Sequence, residues 1–126
     1  MGLHTKLPIH DAALKLFGVV TNCTLQMRRD AKPTIGRKML DECLDITTLI
    51  QRANIDQDKR PHLSAVLEKK SRIEVLLQTA LDAKCISPGQ YAQASRWAVS
   101  IGQQAIGWRN FEKRPLHDRQ GGHASA

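Results

Sequence analysis

The segment from Ile73 to Trp108 constrains the fold of this chain more than any other. It reads as a long apolar helix, a break at Cys85–Pro88, and a second helix marked by small and apolar side chains. Ser87-Pro88-Gly89-Gln90 has the form of a capping box. In that motif the serine hydroxyl accepts from the amide three residues on, and the Gln90 side chain reaches back to the amide of Ser87. Pro88 suits a first helical position, where a missing N–H leaves no helical bond unmade. Tyr91, Ala94, Ala98, Ile101, Ala105 and Trp108 then recur at steps of three and four, which puts them on one face of one helix.

The rest of the chain reads in the same period. Ile9, Ala13, Leu16, Val20, Cys23 and Met27 predict a helix from about Pro8 to Arg28, closed before Pro33 because a proline disfavours helical geometry at Lys32. Thr34 is the expected cap of a second helix running to about Asn54, with Ile35, Met39, Cys43, Ile46 and Ile50 as its stripe. Arg37 with Asp41, and Lys38 with Glu42, form i,i+4 pairs on its polar flank. After the polar turn 55–60, Pro61 opens a third helix to about Lys84, and the fourth runs from Pro88 to about Phe111. Four such helices with short links predict an all-α fold: an up-down-up-down antiparallel four-helix bundle over residues 8–112. Residues 1–7 are an N-terminal extension. Residues 113–126, with Pro115, Gly121 and Gly122, are expected to form a flexible tail. Aromatics make up 4% of the chain, so its core must be largely aliphatic.

On the third helix Ile73, Val75, Leu76, Leu77, Ala80 and Leu81 wrap around most of the circumference. Trp97, Val99 and Ile106 lie off the main stripe of the fourth. A helix that is apolar nearly all round is buried all round. In a bundle this small the extra face calls for a partner subunit, and a closed homo-oligomer is the usual solution. A wider core stripe in a monomer is the alternative.

Several function classes are disfavoured. No apolar run is long enough for a membrane span, and the start of the chain lacks the apolar region of a secretory signal. Cys23, Cys43 and Cys85 are an odd, widely spaced set, read as buried thiols of a cytoplasmic protein rather than a disulfide or metal site. Of His4, His10, His62, His117 and His123, none stands at metal-ligand spacing with an acid on one helix, and there is no Glu-x-x-His. Ser87 beside Cys85 is a cap rather than a nucleophile, Glu74 is expected to flank a subunit contact or to pair with Lys70 or Arg72, and Gly102 and Gly107 are read as points of close helix approach. No cofactor, metal or catalytic residue is expected.

The charge is informative. The chain carries +7 overall, and residues 1–38 hold seven basic residues against two acidic ones. Arg28, Arg29, Lys32, Arg37 and Lys38 cluster around one turn, with Lys84 expected at the same end and Lys15 on the first helix. Arg52, Lys59 and Arg60 gather at the other end, partly offset by Asp56 and Asp58. Lysine and arginine on mobile stems neutralise phosphates without reading sequence, so RNA or DNA is the expected partner. A solvated basic face without a partner is the alternative that composition leaves open.

A family resemblance rests on Ile50-Gln51-Arg52-Ala53-Asn54, Asp58-Lys59-Arg60, Glu74-Val75-Leu76-Leu77, Ile86-Ser87-Pro88-Gly89-Gln90-Tyr91 and the run from Ile101 to Asn110. In that order and spacing, over about residues 7–111, the chain resembles the four-helix-bundle proteins that include the accessory variability determinant (Avd) of diversity-generating retroelements. Proteins encoded in intervening sequences of bacterial large-subunit rRNA genes belong to the same group. The resemblance implies a pentameric barrel of bundles with a basic surface that binds nucleic acid, associates with a reverse transcriptase and is not itself an enzyme. By position, Arg52, Lys59 and Arg60 match the family's basic turn, and Tyr91, Gly102, Gly107 and Trp108 match structural positions. A structural or protein-interaction module without intrinsic affinity for nucleic acid is the second reading.

Overall fold

The structure, a computed structural model, describes residues 7–114. Four helices account for most of them: α1 (Pro8–Gln26), α2 (Arg37–Ile55), α3 (Arg60–Asp82) and α4 (Pro88–Glu112), and no strand occurs among the described residues. Each helix packs against its chain neighbours, and α1 closes the ring against α4. Contacts across the seams give the directions. Gln90, at the start of α4, donates to Gln26 at the end of α1 (2.9 Å), and Tyr91 donates to Gln78 near the end of α3 (3.1 Å). At the opposite end, Gln51 of α2 meets His10 of α1 at 3.3 Å, and Arg109 of α4 donates to Ser64 of α3 at 3.3 Å. Neighbouring helices therefore run antiparallel. Residues 1–6 and 115–126, which hold nearly all of the expected extension and tail, lie outside the described residues.

The stripes read from the sequence are the faces that meet. Ile9, Ala13, Leu16, Val20, Cys23 and Met27 are all buried, as are Met39, Cys43, Ile46 and Ile50 from α2. Helix α4 contributes mainly small groups, Ala94, Ala98 and Ala105, around Ile101, and packs onto Ile73 and Leu77 of α3 within the same core cluster. Each fully buried Leu, Ile or Val contributes roughly 1.5–3 kcal/mol relative to exposure.

Helix boundaries depart from expectation where backbone chemistry intervenes. Helix α1 stops at Gln26 because Met27 is extended (ψ 158°). Thr34 does not cap α2. Instead Lys32–Gly36 forms one π-type turn, with the Gly36 amide donating to Ala31 five residues back (3.0 Å), and α2 begins at Arg37. The Thr34 hydroxyl donates back to the carbonyls of Asp30 (3.1 Å) and Ala31 (3.2 Å). Pro33 has no N–H to give, so a widened turn takes the place of a side-chain cap. Gly36 lets this turn lie on α1: a Cβ there would stand 2.9 Å from Thr24 Cγ2 and 3.2 Å from Met27 Sδ.

Helix α3 ends at Asp82, and Lys84 adopts a left-handed conformation (φ 61°) that reverses the chain. The capping box then starts α4: Ser87 Oγ accepts from the Gln90 amide (3.1 Å) while Gln90 Oε1 accepts from the Ser87 amide (2.8 Å).

Within this chain α3 is not buried all round. Its buried stripe is Leu63, Val66, Ile73, Leu77 and Ala80, whereas Val75 is 65% exposed and Leu76 and Leu81 are half-buried. Val99 and Ile106 of α4 are exposed as well. Gly102 lies beneath the aliphatic stem of Lys70 from α3, but a Cβ at Gly107 would meet nothing, so close approach is made at Gly102 alone.

Candidate nucleic-acid interface

The α1–α2 link and the α3–α4 turn meet at one end of the bundle, and Arg28 joins them. Its guanidinium donates to the Ala83 carbonyl (3.3 Å), lies 3.7 Å from Cys85 Sγ, and pairs with Asp30 at 3.2 Å. Lys84 is thereby brought to the same end as Arg29 and Lys32, with Arg37 and Lys38 following on the first turn of α2. Arg37 pairs with exposed Asp41 at 3.4 Å. Arg29, Lys32, Lys38 and Lys84 have no carboxylate within ion-pair distance among the described residues. The expected Lys38–Glu42 pair does not form, because Glu42 turns inward to α3. Four such cations on long stems thus gather at one end of the bundle, beside two arginines held by exposed acids. Exposed pairs of this kind are worth well under about 1 kcal/mol and give way readily to a phosphate.

Lys38 also lines a surface groove between α2 and α3 with Asp41, Glu42, Arg72, Val75 and Leu76. Beneath it Glu42, 6% exposed, accepts from Arg72 Nε at 3.0 Å and lies 3.6 Å from Lys69 Nζ, which pairs with Asp45 at 3.1 Å. The hydrogen bond to Asp45 and the two nearby carboxylates raise the pKa of Lys69 above the ordinary lysine value. Periodicity held the signal for this acid: Glu42 is three residues from Met39 and adjacent to Cys43, at the edge of the buried stripe.

The opposite end is different in kind. Lys59 Nζ donates to the carbonyls of Ala53 (2.8 Å) and Asp56 (2.9 Å), so it closes the end of α2 rather than facing a ligand. Arg60 pairs with Asp58 at 3.5 Å, and His62 Nε2 lies 2.6 Å from Asp56. A shallow groove there mixes Arg60, Lys113 and Arg114 with Asp58 and Glu112. Arg52 stands apart, beside Asp45, Leu49 and Lys69 on the α2–α3 face.

Lys15 belongs to neither end. It pairs with Asp11 at 3.2 Å and places its ammonium 5.1 Å from the centroid of Trp97 on α4; Arg96 approaches the same ring at 5.3 Å. Sequence reasoning set Trp97 aside as a contact residue and left Arg96 unmarked, since only packing of α1 on α4 brings the three together. Glu74 pairs with Lys70 at 3.0 Å.

Cys23 and Cys43 are buried, and burial raises both thiols, Cys43 to about 12. Among the described residues no group of His, Cys, Asp or Glu is arranged to hold a metal ion, and no helix is long and apolar enough to cross a membrane. Comparison of the chain with protein-family models, curated proteins and solved structures finds no match.

Proposed function

We propose that this protein is a non-enzymatic, homo-oligomeric nucleic-acid-binding protein that engages RNA or DNA through phosphate contacts. The observation that carries the reading is the set of cations at the π-turn end, Arg29, Lys32, Lys38 and Lys84, which have no carboxylate within ion-pair distance among the described residues. Arg37 extends the surface along the first turn of α2. Lys59 and Arg28 act from within, holding carbonyls at the two turns. Assembly through the outer face of α3 and the exposed apolar groups of α4 would multiply the basic patch. The resemblance to retroelement accessory proteins and rRNA intervening-sequence proteins supports a role as a reverse-transcriptase accessory in the cytoplasm.

Filter binding across a salt series tests the core of this reading. Binding at low salt that falls steeply as salt rises is expected, because phosphate neutralisation releases counterions. Joint replacement of Arg29, Lys32 and Lys38 by Gln should flatten that slope by about two to three charges and leave the sedimentation coefficient unchanged. Absence of binding at low salt overturns it.

A protein partner is the second reading, favoured by the exposed apolar side chains Leu25 and Ile55. Partner capture that survives nuclease treatment, in a protein without affinity for nucleic acid, would establish it.

A further inference from the structure

We infer that the ring of Trp97 is a stacking site for an unpaired base of single-stranded nucleic acid, with Lys15 and Arg96 serving the phosphates on either side; this rests on the nucleic-acid reading above.

Two cations attend one ring. Lys15 Nζ lies 5.1 Å and Arg96 Cζ 5.3 Å from the Trp97 centroid. Such contacts arise about once per 70–80 residues, so convergence on a single ring is uncommon. Neither cation is firmly committed: Arg96 has no carboxylate partner among the described residues, and Lys15 pairs only with exposed Asp11. The site thus carries net positive charge around a half-buried aromatic ring.

The other aromatic residues do not share this setting. The Tyr91 hydroxyl is bound to Gln78; Phe17 and Trp108, packed against the core as Trp97 is, have no cation over them among the described residues; and Phe111 sits under Arg114 at the end of α4. One helical turn from Lys15, Gly18 projects no side chain, and a Cβ there would meet nothing within 4 Å. The ledge beside Lys15 is therefore open.

A base has the flat face that can replace a cation over Trp97, and the displaced cation then meets the adjoining phosphate. A duplex keeps its base faces stacked and cannot enter such a site. Single strands combine both contacts at one place, and stacking tolerates any base. The consequence is a preference for strand form without a preference for sequence. The π-turn cations, in contrast, serve either form.

The test uses the full chain carrying Trp108→Phe, so that Trp97 is the sole tryptophan reporter. Oligo-dT and oligo-U of about ten nucleotides, within the usual span of such sites, and a blunt duplex of equal length are titrated at fixed salt. Quenching of Trp97 emission by the single strands and not by the duplex is expected, and comparison of oligo-dT with oligo-U distinguishes DNA from RNA. Trp97→Leu, which keeps an apolar side chain without the π face, should weaken single-strand binding by about ten- to a hundredfold and leave duplex binding unchanged. Trp97→Phe should restore most of it.

Equal weakening of both forms, absence of quenching, or a changed sedimentation coefficient in Trp97→Leu overturns the stacking site while leaving the phosphate surface standing. Absence of all binding, in the parent as in the variants, overturns both readings.

Discussion

Glu42 on α2 accepts from Arg72 on α3 at 3.0 Å while only 6% of Glu42 is exposed. A carboxylate taken this far from water needs compensation, and Lys69 supplies a second cation 3.6 Å away. The pair ties together two neighbouring helices that pack along their length.

Glu42→Gln removes the charge and leaves both cations without it. Because Arg72 and Lys69 reach solvent, the loss should be about 1–2 kcal/mol, below that of a wholly buried pair. Arg72→Gln should cost less, since Lys69 remains. Urea denaturation at neutral pH measures both, with the midpoint shifting and the slope unchanged.

The raised pKa of Lys69 has a definite sign. Its ordinary value is 10.5, and the folded value lies above it, chiefly through the hydrogen bond to Asp45. Its contribution is fully present below the unfolded pKa and is lost as pH rises through the folded value. Thermal melts of the parent and Lys69→Met should therefore differ at neutral pH and converge in the alkaline range beyond the ordinary lysine value.

Two glycines should respond oppositely to alanine. At Gly36 a methyl collides with Thr24 Cγ2 at 2.9 Å, so Gly36→Ala should destabilise by about 1–3 kcal/mol. At Gly18, inside α1 with open space around it, Gly18→Ala should stabilise by about 0.5–1 kcal/mol. Denaturant midpoints of the two variants give the comparison directly.

The three cysteines should separate under a thiol reagent at mildly alkaline pH. Cys85, half-buried at the α3–α4 turn, should label in the native protein. Cys23 and Cys43 should label only on unfolding, because burial raises both thiols, Cys43 to about 12. Timed labelling with peptide mapping assigns each site.

Periodicity made the helices and their buried faces legible, because one apolar stripe per helix leaves few ways to hide it. Ser87 and Gln90 were legible for a local reason: a capping box is made within four residues, and its two bonds form regardless of what surrounds them. Thr34 had the same local credentials and failed, since Pro33 and the fit of Gly36 against α1 made a π-type turn the better entry to α2. The basic clusters were visible as composition, but their chemistry was not. Lys59 and Lys84 look alike in sequence, yet one ammonium is consumed by the carbonyls closing α2 while the other has no acid beside it among the described residues.

By itself, then, the sequence determined the number of helices, the faces they bury and the +7 charge, since these depend on spacing and residue type along one strand of chain. Only the tertiary structure decided which charges were spent. Glu42 meets Arg72 across thirty positions, Arg28 meets Ala83 across fifty-five, and Lys15 meets Trp97 across eighty-two. An ion pair or a cation over a ring depends on a few ångströms between side chains of different helices, and packing sets that distance.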